Sequence, residues 1–359
     1  MLETTDPFKL KRLFDLGNIL YQELGDLQQD ARFLKIVRRT FLPIPFLERP
    51  RPLETDIFPP LKITPHPFLA GKRIGLVTSG GSGALVTLCG VKRALEEADV
   101  KVAAISVCSG SAIWGSMIAA GFTAQQMVDL CFGWQPKDIL DPDWAALAKA
   151  PFNLGRGFVG LLKGDAIDAT LDAAYGGLTL ARTKIPYYAI VLNIDTNRVE
   201  YFGPHNHPQV PLSRMARVAM SLPLFVQPVR FDDHLYVDGG VVNVFPVEPL
   251  LRHEQPFDHF IGVNLIMPPG FGGEDITGWI DLPHSIFRAS GQLYHAQWLE
   301  LARIEHDKVR DRMLLLEPLP YSEIAGTKFY EVFIDNGRWA SHVLKAYHYT
   351  RDQLAAYRG

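Results

Sequence analysis

Short apolar, β-branched runs alternate with helical periodicity through the middle of the chain. Arg73–Thr78 and Val100–Val107 read as buried strands. Between them Leu85, Leu88, Val91 and Leu95 fall on one face of a helix, and Ala112–Gly121 continues as an apolar helical pattern. Tyr187–Asp195 is a further buried strand, with Val199–Phe202 as its hairpin partner across Asp195-Thr196-Asn197-Arg198. Phe260–Ile266 reads as another buried strand and Met313–Glu317 as an edge strand. Strands alternating with helices predict an α/β fold of three layers, α/β/α, with a mainly parallel central sheet. Such sheets place their sites at the carboxyl ends of the strands.

The flanks differ from this core, dividing the chain into residues 1–70, 71–268 and 269–359. In the first part, Phe8–Val37 carries Leu10, Leu13, Phe14, Leu16, Leu20, Leu24 and Leu27 at helical spacing. Lys9, Lys11, Arg12, Lys35, Arg38 and Arg39 are interrupted by Asp15, Glu23, Asp26 and Asp30. This mixed charge favours an arm packed on the core or on a second copy of the chain over a helix lying on a membrane surface. Phe41–Pro67 is proline-rich and reads as an extended strap. Within the core, Ala124–Leu147 has helix and turn signals, and Gly155–Lys163 reads either as a cap over a pocket or as a short buried helix. The third part is mostly helical over Trp279–Val309 and Ala340–Tyr357, and its aromatic stripes fit core or subunit contact better than lipid contact.

Composition narrows the function classes. A formal net charge of −3 gives no basis for nucleic-acid binding. Cys89, Cys108 and Cys131 have no metal-motif spacing and read as reduced, buried thiols. The chain starts without a basic, apolar leader and has no run fit to span a bilayer, which predicts a cytoplasmic protein, with peripheral membrane contact left open. No acidic loop has EF-hand spacing, and the His205-Asn206-His207 pair lacks a supporting ligand cluster, so no metal and no cofactor are expected.

Four segments carry the chemistry. Ile105-Ser106-Val107-Cys108-Ser109-Gly110-Ser111-Ala112 has the strand–turn–helix layout of a nucleophile elbow, with Ser109 at the turn. Val107 and Ser111 stand where G-x-S-x-G has glycines. Thr78-Ser79-Gly80-Gly81-Ser82-Gly83 follows a strand and can aim bare amides at a developing oxyanion. It completes neither G-x-G-x-x-G nor a P-loop lysine, so nucleotide binding is not expected. Ala219-Met220-Ser221-Leu222-Pro223-Leu224-Phe225 precedes Val237-Asp238-Gly239-Gly240, where an aspartate leaves a strand and meets two glycines. An Asp-Gly by itself reads as a hairpin turn.

In this order the four segments resemble the patatin-like phospholipases, over roughly residues 73–268. The Ser-Gly-Ser at 109–111 also resembles the cytosolic phospholipase A2 and lysophospholipase form of the elbow. The resemblance implies a Ser109–Asp238 dyad without histidine and an oxyanion hole near Gly80, Gly81 and Ser82. Gly110, Gly239 and Asn243 would then support the site, with Pro246 shaping the loop after the aspartate. A Ser-His-Asp triad is the alternative, with His234 its nearest candidate in sequence. The family loop reads G-G-G-x-R-G, whereas here Ser82, Ala84 and Leu85 replace a glycine, the arginine and the last glycine. Loss of the arginine favours neutral acyl esters over phosphate-bearing headgroups. The expected activity is hydrolysis of lipid or carboxylic esters through an acyl-enzyme. An acyltransferase on the same dyad and a catalytically silent lipid binder are the alternatives.

Overall fold

The computed structural model describes residues 53–145, 159–265, 297–320, 323, 332 and 336–359. The helix expected over Phe8–Val37 lies outside these residues, as do most of Trp279–Val309 and the first part of Gly155–Lys163. In chain order the elements used below are β1 (Ile74–Thr78), α1 (Thr87–Glu97), β2 (Val102–Val107), α2 (Ser111–Ala120), α3 (Ala124–Gly133), α4 (Pro136–Ile139), β3 (Gly160–Leu162), α5 (Asp165–Tyr175), β4 (Tyr187–Asn193) and β5 (Arg198–Phe202). They continue with α6 (Leu212–Ala219), β6 (Leu224–Val226), β7 (Val229–Phe231), β8 (His234–Asp238), α7 (Glu248–Leu251), β9 (His259–Val263), β10 (Met313–Leu316) and α8 (Trp339–Ala356). A further helical stretch covers 297–307.

Among the described residues an eight-stranded sheet runs β10-β9-β1-β2-β4-β8-β7, with β5 also on β4. The pairs from β10 to β4 are parallel, and those joining β4 to β5 and β8, and β8 to β7, are antiparallel. Strand alternation sorts side chains to two faces. Ile74, Leu76, Ile105, Val107, Tyr187, Ala189, Ile261 and Val263 enter one core, which also takes in residues of α1, α2, α3, α6 and α8. Val77, Ala104, Tyr188, Phe260 and Met313 enter the other, with Leu250 of α7 and Ala302 of 297–307. The fold is therefore a mostly parallel sheet with helices on both faces, as the patterning predicts.

One expectation is corrected. Residues 160–162 are neither cap nor helix but strand β3, which pairs with β6 in a separate two-stranded sheet. Leu162 alternates inward while Leu161 faces out, so the apolar run is a strand with one wet side.

Strand β4 sets the geometry of the site. β5 covers one edge of β4 over Ala189–Asn193. β2, paired through Val107↔Ala189, and β8, paired from Asp238↔Val191, therefore share the other edge and meet nearly end to end. β2 cannot run past Val107 without colliding with β8. The chain turns out of the sheet at the next residues, and the end of β8 comes to the level of that turn.

Candidate active site

The turn is made at Ser109, whose φ of 55° is a left-handed backbone value that side chains rarely adopt. Helix α2 starts at once, with Gly110 as an N-cap that offers no side-chain bond. The amides of Ser111 and Ala112 turn back to the Cys108 and Ser109 carbonyls at 3.1 and 2.9 Å. The Gly110 amide makes no hydrogen bond among the described residues. Ser109 is half-buried at the amino end of a ten-residue helix, where negative charge is favoured.

Ser111 fills the second glycine position of the elbow with a hydroxyl that has a structural task. Its Oγ donates to the Cys108 carbonyl at 2.7 Å, accepts from the Cys108 amide at 2.9 Å and accepts from Thr78 Oγ1 at 2.8 Å. The elbow is thus tied to the end of β1, from which the glycine loop departs. Val107, at the first glycine position, is accommodated from the helix side. A Cβ on Gly115 would come within 2.5 Å of Val107 Cγ1, so a glycine one turn into α2 leaves room for the branched side chain.

The glycine loop lies directly on the elbow. A Cβ on Gly110 would come within 2.3 Å of the Ser82 carbonyl oxygen. Gly81 and Ser82 have φ of 145° and 53°, and no hydrogen bond among the described residues engages their amides. The Gly80 amide is occupied, donating to the Val244 carbonyl at 3.2 Å. Gly81 and Ser82, not Gly80, are therefore the free donors of the sequence-predicted trio. Ala84 and Leu85, which replace the arginine and last glycine of the resemblance, are buried in the core.

Asp238 ends β8 and is wholly buried. Its amide donates to the Ser221 carbonyl at 3.0 Å, so the Ala219–Phe225 segment braces the strand end. Its Oδ1 accepts from the Gly240 amide at 2.7 Å. Oδ2 is buried and accepts no hydrogen bond of full geometry among the described residues. Burial pushes the carboxyl from 3.8 up to about 7, with the neighbouring Ser109 hydroxyl and the Gly240 amide pulling it down. These two observations agree if the Ser109 hydroxyl stands beside Oδ2 without a fully formed bond. Gly239 packs on β4, where a Cβ would come within 2.7 Å of the Ile190 and Val191 backbone. Asn243 holds the following loop through Oδ1, which accepts the Phe245 amide at 3.0 Å. Ser106 Oγ donates to the Pro246 carbonyl at 2.7 Å, fastening the same loop to β2.

The other candidates do not reach this centre. His234 begins β8, about 13 Å along the strand from Asp238, and lies 3.7 Å from Asp195 at the surface. His207 packs on the Phe202 ring at 3.9 Å, and burial lowers its pKa. Cys108 is buried, with Sγ 3.6 Å from the Asn243 carbonyl, and burial together with the Asp238 charge pushes its thiol up, away from reactivity. All three cysteines are free and buried. Among the described residues no group of three His, Cys, Asp or Glu is placed to hold a metal, and no helix is long and apolar enough to cross a membrane. Sequence reasoning missed Thr78, Ser106, Ser111 and Ser221. For Thr78 and Ser106 the available signal was a polar residue near the end of an otherwise apolar strand, whereas Ser111 opens α2 and Ser221 follows α6.

The chain is 23% identical over 218 residues to neuropathy target esterase sws of Drosophila melanogaster, covering 59% of this chain and 14% of that protein. It is 24% identical over 213 residues to lysophospholipase NTE1 of Cryptococcus neoformans, covering 59% of this chain and 12% of the relative. The match thus spans a small part of those relatives' own length. The crystal structure of VipD from Legionella pneumophila aligns with 87% of this chain and 72% of its own at 16% identity and a TM-score of 0.47. Residues 76–251, which hold the glycine loop, the elbow and the Asp-Gly-Gly turn, match the patatin-like phospholipase family model. Over this segment, just under half of the chain, the sequence is that of a patatin-like phospholipase domain.

Proposed function

We propose that the chain is a serine acyl hydrolase of lipid or other carboxylic esters, with Ser109 as nucleophile and Asp238 as its base. The observation that best supports this is a serine in a left-handed elbow beside a wholly buried carboxylate, one of whose oxygens takes no full hydrogen bond among the described residues. Asp238 takes the hydroxyl proton as Ser109 attacks the ester carbonyl. The tetrahedral oxyanion accepts from the amides of Gly81, Ser82 and Gly110. Protonated Asp238 returns its proton to the departing alcohol. Water then gives a proton to the same carboxylate as it attacks the acyl-enzyme, and Asp238 passes that proton to the departing Ser109 oxygen as the acid is released. A carboxyl at about 7 suits both directions of proton transfer near neutral pH. The absence of an arginine from the loop, with Ala84 and Leu85 buried in its place, favours neutral esters. The relatives named as an esterase and a lysophospholipase point to the same bond type.

Hydrolysis of p-nitrophenyl esters of short and long acyl chains tests the reading. Native protein is expected to turn over, with Ser109→Ala and Asp238→Ala each lowering kcat by about 10³-fold or more. Full activity in Ser109→Ala would overturn it.

A further inference from the structure

The helical stretch 297–307 lies outside the segment that matches the family, yet it grips the loop that follows the candidate base. Trp298, Ala302 and Glu305 recur at helical spacing and share one face, and Val309 sits in the turn that follows. Ala302 and Val309 pack in the same core as Val244, Phe245 and Val247 of that loop, with Trp298 against it. The two polar members bond the loop's backbone. Trp298 Nε1 donates to the Val241 carbonyl at 3.1 Å, inside the turn that begins at Asp238. Glu305 is 7% exposed, and its Oε2 accepts the amides of both Val247 and Glu248 at 3.0 Å, with Oε1 taking Lys308 Nζ. The same loop supplies the carbonyls of Val244 to the Gly80 amide, of Asn243 to Cys108 Sγ and of Pro246 to Ser106 Oγ. Base, elbow and glycine loop therefore all lean on one stretch of backbone, which is held from outside at Val241 and at Val247–Glu248.

We infer that Trp298 and Glu305 are positioning residues for the proposed hydrolysis: they clamp the Gly239–Glu248 loop and so fix Asp238 against Ser109. A buried carboxylate seven residues from a tryptophan donor is more than apolar packing requires, since each group must be desolvated to be used on backbone. The inference rests on the dyad reading above. The groups facing Asp238 are the Ser109 hydroxyl, the Gly240 amide and the buried Cys108 thiol. A loosened loop admits water to the carboxylate, removing the burial that raises its pKa.

The test uses the full chain with Trp298→Phe, which deletes one N–H and keeps an aromatic ring, and Glu305→Gln, which keeps an accepting oxygen. Arg303→Gln is the control, because Arg303 is exposed on another face of the helix and pairs there with Glu300 and Asp307. Trp298→Phe is expected to lower kcat about 3–10-fold with little change in KM, the scale of one lost hydrogen bond. The acid limb of its rate profile should move to lower pH. Glu305→Gln should act in the same direction and Arg303→Gln should do neither. Folded Trp298→Phe and Glu305→Gln proteins with native kcat and a native acid limb overturn the inference. Failure of the native protein to react with a fluorophosphonate at Ser109 sinks the dyad reading instead. The clamp is then read from amide exchange at Gly240, slow in the native chain and faster in Trp298→Phe. Equal exchange in both overturns it.

Discussion

Asp238 is wholly buried and one of its oxygens has a single amide donor, so its charged form is held by fewer partners than a solvated carboxylate would have. The consequence is a carboxyl raised from 3.8 to about 7. Below about pH 4 the group is protonated in folded and unfolded chains alike. Between about pH 4 and pH 7 only the unfolded chain ionises, so the fold loses up to ~1.4 kcal/mol per pH unit. Above about pH 7 the loss is complete, with an upper limit of ~4 kcal/mol. Asp238→Asn keeps an Oδ1 for the Gly240 amide and cannot ionise. Its melting temperature is therefore expected to exceed the native value at about pH 8, with the difference vanishing near pH 4. Turnover should instead fall by about 10³-fold, because the base is gone. In the native protein the rate should rise with pH through about 7, as the carboxylate forms. Melting curves and rate profiles of the two proteins across this range check both halves. Equal melting temperatures at pH 8 would mean that Asp238 is not buried as a strained acid. The serine and aspartate could be proposed from sequence only because four segments occur in one order, since an Asp-Gly by itself reads as a hairpin turn. The hydroxyl staple of Ser111 was not, since its three partners belong to β1 and the elbow and meet only in the fold.

At the scale of elements, the period-two and helical patterns placed most strands and helices within a few residues, but patterns do not encode neighbours. The sheet order joins β1 to β9 across most of the chain, and β2 meets β8 end to end along β4. Nothing local announces either. The three-residue β3 escaped because its pairing with β6 is too short for periodicity to register. The meeting of β2 with α2 is more readable. Val107 departs from the elbow pattern, and Gly115, one helical turn beyond Ser111, leaves its space. Gly115→Ala gains helix propensity of about 1 kcal/mol, but its Cβ meets Val107 Cγ1 at 2.5 Å inside a close-packed core. A net destabilisation of about 1–2 kcal/mol is expected. Adding Val107→Ala removes the obstructing methyl, so the double variant should be more stable than the sum of the single changes by about 1 kcal/mol or more. Denaturant unfolding of the four proteins measures this coupling. Strict additivity would show that the glycine is not there for the valine.

At the scale of the whole molecule, the family segment does not contain its own core. Residues 76–251 omit β9 and β10, which continue the sheet beyond β1, and would leave β1 as an unpaired edge. They also omit α8, whose Trp339, Val343, Ala346, Tyr347 and Leu354 belong to the main core. The docking of α8 on α1 is close enough that a Cβ on Gly90 would come within 2.1 Å of the Val343 carbonyl oxygen. Trp339 meets Trp114 of α2 edge-on at 5.8 Å, so α8 reaches the helix that starts at the elbow. Tyr347 donates to Glu97 at 2.9 Å, and His66 Nε2 meets the Leu354 carbonyl at 2.8 Å, drawing the approach to β1 into the same assembly. Losing these aromatic and aliphatic contacts removes several side chains each worth ~1.5–3 kcal/mol, against a total stability of ~5–15 kcal/mol for an ordinary domain. A fragment of residues 76–251 is therefore expected to lack a cooperative unfolding transition and ordered near-ultraviolet circular dichroism, while the full chain shows both. Ester hydrolysis by the fragment should fall with the fold. A fragment that unfolded cooperatively and kept native turnover would show that the later strands and helices are additions to a self-sufficient core, and that the clamp on the Asp238 loop is dispensable.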